Sequence, residues 1–519
     1  VTEVSGSRLS CRLFAAADGL DERGAYKAGQ IGALIKIATP STWAFGFIDN
    51  VSIEGASADT DSIAARAEID LLGEAQVGRD SFSRGITIYP VLGAPVFGAS
   101  ERDMSLIYET PDDATFAIGS LHQYPGKTAY LKSQEFFSKH SAILGTTGAG
   151  KSCALSIILR TLLTQHPHGH VVVLDPHGEY GAAFDDLAER ITPDDLRLPY
   201  WMFGFDEITE VLCSKEPTAR SRETPILKEA IVAAKRDFLG ISNNSVDLSV
   251  DAPTPYRISD VRRHVSDAMG KLLKADTSQP YVRLMTTIDG LSRDRRYRFM
   301  FGGLTVRDEM AEILGRILRI PVDGRPLTVL DISAVPSEIV NVIVSLVCRL
   351  IFDFAVWSDR DEAIPVLLAC EEAHRYIPRD QSLGFEPTQR SIARFAKEGR
   401  KYGLSLCLVT QRPSELSETI LSQCNTVVAL RMTNREDQNF VRSLLPDDAA
   451  GLLNALPTLG QQEAILVGEG VSHPIRIRFA DLEPAHRPQG AGTTFPQAWD
   501  ADSKDRQYLD KVLGKWRGM

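Results

Sequence analysis

The sequence predicts an α/β protein organised on a phosphate-binding loop, with a strand-rich region before it and a block of helices set into it. Three observations carry that reading. Ser141 to Leu159, SAILGTTGAGKSCALSIIL, is a short apolar strand, a glycine-rich turn and the opening turns of an apolar helix. Short apolar runs ending in acids, HVVVLD at His170 to Asp175 and LTVLD at Leu327 to Asp331, recur with helical stretches around them. Residues 1 to 110 show strand-type alternation punctuated by glycine and proline.

In chain order, Ile31 to Ile37, Ala67 to Leu72 and Gly85 to Tyr89 are expected strands, with one short helix near Asp59 to Arg66. Closely spaced strands with turn signals predict a small β-barrel or sandwich over residues 1–110, serving assembly or docking. Residues 111–205 begin the α/β core and include Pro176 to Tyr180, a polar turn at a strand's carboxyl end, where ligand-facing residues of open sheets collect. Over 206–300 the strands give way to helices, Pro225 to Leu239 and Ile258 to Leu273, followed by the basic cluster SRDRRYRF at Ser292 to Phe299. Those arginines either meet nucleic-acid phosphates or form a solvated face paired with acids. Residues 301–483 resume the core, with a long helix from Ser337 to Trp357 and strands Ile364 to Ala369, Leu404 to Thr410 and Thr426 to Leu430. Glu463 to Val467 and Ile475 to Phe479 are expected to close the sheet. Residues 484–519 are a Pro-, Gly- and Thr-rich arm with a helix over Asp502 to Trp516, which either docks on a neighbouring subunit or frays.

The totals bound the function. A chain of 519 residues has room for roughly two to four domains and a large core. Ile339 to Trp357 is apolar but interrupted by Asn341, Arg349 and Asp353, so it reads as a buried helix and no membrane partner is expected. Seven cysteines without a CxxC pair, and no basic-then-apolar leader, suggest reduced thiols in a cytoplasm and no zinc site. A net charge of −11 gives no global basic field, so any nucleic-acid contact must come from a local patch.

Gly145, Gly150, Lys151 and Ser152 sit at the GxxxxGK[ST] spacing. Glycines let the backbone curl so that successive N–H groups face phosphate oxygens, and the helix N-terminus adds partial positive charge. Gly145, Thr146, Thr147, Gly148, Ala149, Gly150, Lys151, Ser152 and Cys153 are therefore the candidate nucleotide-binding segment. Lys151 would reach the β- and γ-phosphates, and the Ser152 hydroxyl would complete a Mg²⁺ shell.

Hydrolysis needs two further carboxylates' worth of chemistry. Asp175 and Asp331 each end a strand alone, whereas VLLACEEAH offers the consecutive pair Glu371 and Glu372. Adjacent residues leaving a strand diverge, which assigns Glu371 to Mg²⁺ through water and Glu372 to polarising the lytic water. Gln411, at the end of the next strand, is placed to contact γ-phosphate and lytic water. Arg394, Lys397, Arg400 and Lys401 lie on a predicted helix from Ser391 to Tyr402; Arg400 is the chosen arginine, supplied by a neighbouring subunit, against a solvated helix face.

GTTGAGKS, VVVLDPHGEY, the helical insertion, LLACEEAHRYIP and LCLVTQRPSEL together resemble the HerA branch of the HerA/FtsK ATPases, and RGITIYPVLGAPV (Arg84 to Val96) resembles that family's barrel. The resemblance covers nearly the whole chain. It implies a RecA-like P-loop ATPase core with an N-terminal small β-barrel and an inserted helical bundle. It further implies ATP and Mg²⁺ as cofactors, a homo-hexameric ring and ATP-driven movement along double-stranded DNA. The implied partner is a nuclease of the NurA type in DNA end processing, or an effector in phage defence. By position, Lys151 and Ser152 match the P-loop pair, Glu372 the catalytic acid, Gln411 the sensor and Arg400 the trans-acting arginine. Glu371 stands where many members have Asp. Asp175, His177 and Glu179 match the DPHGEY signature and are expected to brace the nucleotide site. The competing expectation is an ATP-binding ring that assembles and gates an effector without moving on DNA.

Overall fold

The computed structural model describes residues 1–13, 29–53, 65–78, 81–108, 114–192, 195, 198–241, 248–271, 278–301, 306–335, 337–445, 450–489 and 506–517. Two sheets organise it. The first contains β1 (Glu3–Ser5), β2 (Arg8–Leu13), β3 (Leu34–Ala38), β4 (Thr42–Ile53), β5 (Ala65–Gln76), β6 (Phe82–Arg84) and β7 (Val96–Gly98). Its order is β1-β2-β5-β4-β3-β7 with β6 also on β5, and every pairing is antiparallel. Alternation along the strands puts Cys11, Ile37, Ile48 and Ile69 in one core, as a half-buried sheet requires. Bulges after Phe45 and Ile48 bend β4. The two edges are brought together at Val1, whose backbone nitrogen donates to Ala94 O (2.9 Å) and whose carbonyl accepts from Gly93 N (2.9 Å). Among the described residues no strand ladder closes the sheet. Gly85 to Tyr89 is not a strand: Gly85 makes one bridge to Gly73, and the chain then bends away. The helix expected near Asp59 to Arg66 falls on residues outside the described ones up to 64, while Ala65 and Arg66 open β5.

The second sheet holds β8 (Thr115–Leu121), β9 (Thr128–Lys132), β10 (His140–Leu144), β11 (Val171–Asp175), β12 (Ala188–Ile191) and β13 (Leu327–Asp331). It continues with β14 (Val366–Cys370), β15 (Leu404–Thr410), β16 (Cys424–Leu430), β17 (Glu463–Gly468) and β18 (Ile475–Phe479). The order is β12-β13-β11-β14-β15-β10-β16-β17-β18-β8-β9. From β12 to β16 every pairing is parallel; from β16 to β9 every pairing is antiparallel. Strands covered on both faces read as nearly continuous apolar runs, and β10, β11, β13, β14 and β15 are buried at every residue, a few polar ones included. The strands at Glu463 and Ile475 do not close this sheet. The β8–β9 hairpin, from before the P-loop, pairs with β18 and forms that edge.

Helix α1 (Lys151–Gln165) follows β10 and buries Leu155, Ile158, Leu159 and Leu162. Between β12 and β13 lie α2 (Phe205–Leu212), α3 (Pro217–Leu239), α4 (Ile258–Gly270) and α5 (Gln279–Arg293). Pro225, expected to start a helix, lies inside α3, which begins two turns earlier where the Glu216 carboxylate accepts the N–H groups of Thr218 (3.0 Å) and Ala219 (2.7 Å). Pro225 is exposed, so the carbonyl it leaves without a donor faces solvent. Three of the arginines here are paired: Arg262 with Asp289, Arg263 with Asp237 and Arg296 with Asp294, each at 2.7 Å.

Helix α6 (Ser337–Trp357) is long and apolar enough to cross a membrane by composition, yet it packs into the core between sheet and helices. Of its polar interruptions, Arg349 pairs with Glu207 (3.1 Å) and Asp353 (3.3 Å), and the backbone carbonyl of Asn341 accepts from Thr388 (2.6 Å). The segment expected as one helix from Ser391 to Tyr402 is α7 (Glu386–Glu398), followed by a 3-10 turn, Gly399–Tyr402, that carries Arg400. Helix α8 (Arg506–Arg517) overlaps the helix expected over Asp502 to Trp516, whose first residues lie outside the described ones.

Candidate active site

The parallel strands deliver their polar ends to one edge. β10 runs into the P-loop, and its neighbours β15 and β16 anchor that loop: Gly145 N donates to Thr410 O (3.3 Å), while Thr146 N (2.9 Å) and Oγ1 (3.0 Å) donate to Arg431 O. Gly148 (φ 74°) and Gly150 (φ 99°) are left-handed, a conformation that a Cβ would strain. A Cβ on Gly145 would come within 2.9 Å of Leu430 Cβ. The amides of Thr147, Gly148 and Gly150 make no backbone hydrogen bond. Those of Lys151 and Ser152, in the first turn of α1, have no intrahelical partner by geometry. The result is a concave set of N–H groups at a helix N-terminus, an anion seat.

Lys151 is buried, and its Nζ donates to Thr146 O at 3.3 Å. Burial pulls its pKa down, against the opposing charges of Glu371, Glu372 and Glu179. Those three carboxylates come from two strand ends. β14 ends at Cys370, and Glu371 follows, 4% exposed, with Oε2 accepting from the Tyr180 hydroxyl (2.8 Å). Desolvation pushes its pKa up to about 8, opposed by the Tyr180 hydrogen bond and Lys151. Glu372 sits at φ 53°, the left-handed region rare for a residue with a side chain. That turn swings it away from Glu371, so the pair diverges. Its Oε1 accepts from Gln411 Nε2 (2.9 Å), with His177 Nε2 at 3.6 Å. Its Oε2 is buried, lies 3.2 Å from His374 Nδ1 without hydrogen-bond geometry, and has no hydrogen-bond partner. His374 Nδ1 is instead engaged with Thr410 Oγ1 (3.0 Å). Oε2 is thus a buried carboxylate oxygen beside the P-loop with no hydrogen bond from a described residue.

Gln411 also accepts a hydrogen bond from the Thr147 hydroxyl, so one amide joins the P-loop to Glu372. An opening of about 550 Å³ lies alongside, lined by Thr146, Thr147, Gln411, Arg412, Asn434 and Asp437 among others. Asp175 is fully buried and accepts the N–H groups of His177 (3.3 Å), Glu179 (3.1 Å) and Tyr180 (2.9 Å), which knits the DPHGEY turn from within. Glu179 reaches the P-loop helix itself: its Oε2 accepts from Ser152 Oγ at 2.8 Å. Cys153, one residue on, is half-buried with its thiol pKa raised by burial.

Arg400 is not brought to this edge. It precedes β15 and donates to Gln423 O (3.2 Å) and Asn425 Oδ1, at the opposite end of the strands. A seven-residue strand separates the two ends by roughly 20 Å. Arg394 lies over the Phe352 ring, 4.2 Å from its centroid. Sequence reasoning passed over Tyr180, His374 and the direct reach of Glu179. The available signal was the spacing of Glu179 and Tyr180 four and five residues after a strand-end Asp, which folds them back across that strand's mouth.

The Helicase HerA central-domain family matches residues 116–351, a stretch that runs from β8 to α6 and includes the P-loop. The DNA double-strand break repair helicase HerA of Pyrococcus furiosus is 25% identical over 438 residues, covering 77% of this chain and 75% of its own. Through that central domain the chain is similar to the HerA-type ATPases. It is an ATP hydrolase. The probable DNA double-strand break repair helicase HerA of Methanocaldococcus jannaschii is 28% identical to this chain, covering 72% of it and 77% of its own length. Among solved structures, VirB4 of Thermoanaerobacter pseudethanolicus is 15% identical with a TM-score of 0.48, covering 73% of this chain and 99% of that one.

Proposed function

We propose that this chain is a ring-forming, homo-hexameric ATPase that moves along double-stranded DNA, working with a nuclease of the NurA type or a defence effector. The observation that supports it best is the convergence of Lys151, Glu372 and Gln411 on the P-loop mouth, with Glu372 Oε2 open and buried. The names of its curated relatives, DNA double-strand break repair helicases, supply the substrate class. ATP is held by the segment from Gly145 to Cys153, with Lys151 on the β- and γ-phosphates. Ser152 and, through water, Glu371 would hold Mg²⁺, which would supply neutralisation of the phosphate charge. Among the described residues no cluster of three or more His, Cys, Asp or Glu is arranged for a metal, and Mg²⁺ needs none, since phosphates and water fill most of its shell.

Glu372 draws the proton of the attacking water toward Oε2, Gln411 orients that water from the P-loop side, and the buried surroundings keep the carboxylate's dipole partners fixed. Arg400, remote from its own chain's site, acts in the site of a neighbouring copy. The experiment is ATPase rate with duplex DNA, single-stranded DNA and none, paired with displacement of a triplex third strand. Duplex-stimulated hydrolysis with displacement is the expected result. Hydrolysis without displacement turns the reading to a scaffold that gates an effector.

A further inference from the structure

We propose that Glu179 is the positioning residue for the metal-side serine: its carboxylate accepts the Ser152 hydroxyl proton and thereby aims a Ser152 oxygen lone pair at the Mg²⁺ of bound Mg·ATP. The inference rests on the reading that the P-loop binds Mg·ATP. A serine hydroxyl has one proton and two lone pairs, and it rotates to suit its neighbours. When a neutral serine ligates a cation it does so through a lone pair, so its proton must point elsewhere and needs an acceptor. Glu179 Oε2, 2.8 Å from Ser152 Oγ, is that acceptor.

The carboxylate is held in place by backbone geometry. Asp175 accepts the Glu179 N–H (3.1 Å) together with those of His177 and Tyr180, which fixes the turn against the end of β11. Gly178, at φ 68°, lets that turn close; a Cβ there would lie 3.1 Å from Ser333 Oγ. The next residue, Tyr180, is fully buried and donates to Glu371 Oε2 (2.8 Å). One five-residue turn therefore sets both the serine and the second metal-side carboxyl, which explains a Glu-Tyr pair at a site where the chemistry itself names neither. Orienting partners of this kind are worth roughly 10–100-fold in metal affinity.

The test uses the full chain and a fluorescent ATP analogue, with binding measured across a MgCl₂ series and again in EDTA. For Glu179→Ala the Mg²⁺ concentration at half-maximal binding is expected to rise roughly 10–100-fold, while affinity in EDTA stays within about twofold of wild type. Glu179→Gln, which keeps an oxygen acceptor, is expected to shift less. Ser152→Ala should reproduce the Glu179→Ala shift, and the double variant should add little to either, because both remove one device. An unchanged Mg²⁺ dependence in Glu179→Ala overturns the proposal. So does an equal loss with and without Mg²⁺, which would make the residue a structural brace of the turn. Failure of the parent reading looks different: the wild type itself would bind the analogue indifferently to Mg²⁺.

Discussion

The two ends of the same parallel strands are built on opposite principles. At the carboxyl ends of β10, β14 and β15, ionisable groups are buried with something left over: Glu372 Oε2 has no hydrogen-bond partner, and Glu371 is held at a pKa of about 8. At the amino ends, polar groups are tied to one another. Arg400 bonds Asn425, Asn425 Nδ2 bonds Glu469 Oε1 (2.6 Å), and Lys139 pairs with Glu469. His140, fully buried at the start of β10, receives Leu406 N–H on Nδ1 (3.0 Å), so Nε2 must donate to Ala396 O (2.7 Å). A satisfied end needs nothing from outside; an unsatisfied one is prepared for a ligand. The difference separates the candidate site at the carboxyl ends from Arg400, which lies outside its own chain's site.

The sharpest way to break the comparison is to neutralise its open end. Glu372→Gln keeps the shape and the Gln411 contact on one side but removes the base, so ATPase turnover should fall by about 10²–10⁴-fold with analogue binding retained. Turnover within a few-fold of wild type would move the base elsewhere. The next effect concerns the tied end. Arg400→Ala should lower turnover by about 10³-fold without weakening binding, and mixing it with Lys151→Ala subunits should restore part of the activity. Absence of recovery at every mixing ratio would count against action between copies.

A third prediction uses pH. Burial lowers the His140 pKa from 6.5 to about 4, so the folded value lies below the unfolded one. Stability held by the neutral ring is present above pH 6.5 and lost as pH falls toward 4, at up to about 1.4 kcal/mol per pH unit. Protonation would leave Leu406 N–H facing a second donor. His140→Asn keeps a donor and an acceptor but cannot titrate, so denaturant unfolding between pH 7 and pH 5 should show a shallower decline than wild type. Equal declines in the two proteins would assign the acid sensitivity to another group.

Much of the core was legible because its strands are covered on both faces: LTVLD, LSLCLVT and SAIL are mostly apolar with a few small hydroxyl side chains among them, and Asp331, Gln411 and Gly145 mark the carboxyl edge. The P-loop glycines were legible from sterics, as the φ values of Gly148 and Gly150 show. What sequence spacing could not give was contact between elements far apart in the chain. Ser152 and Glu179 meet because β10 and β11 end at one edge with two strands between them. The order of the sheet's outer strands was hidden for the same reason, since the β8–β9 hairpin pairs with a strand some 350 residues later. Pro225 misled because an exposed proline leaves only a solvent-facing carbonyl unmet, which a long, well-capped helix tolerates.

The smallest expected effect concerns the arginines of α4, whose sequence left two readings open. Arg262 and Arg263 are each about half exposed and already joined to Asp289 and Asp237. An exposed pair of this kind is worth about 0–1 kcal/mol, so Arg262→Ala and Arg263→Ala should each change unfolding free energy by no more than that. A cation held by an acid carries little net charge toward a phosphate, so counterion release on duplex binding should come from elsewhere. The slope of log affinity for duplex DNA against log salt should therefore be the same in both variants as in wild type. A slope reduced by about 0.9 per substitution would instead mean that these helices trade their aspartates for the DNA backbone, and the face that looks solvated would be a gripping one.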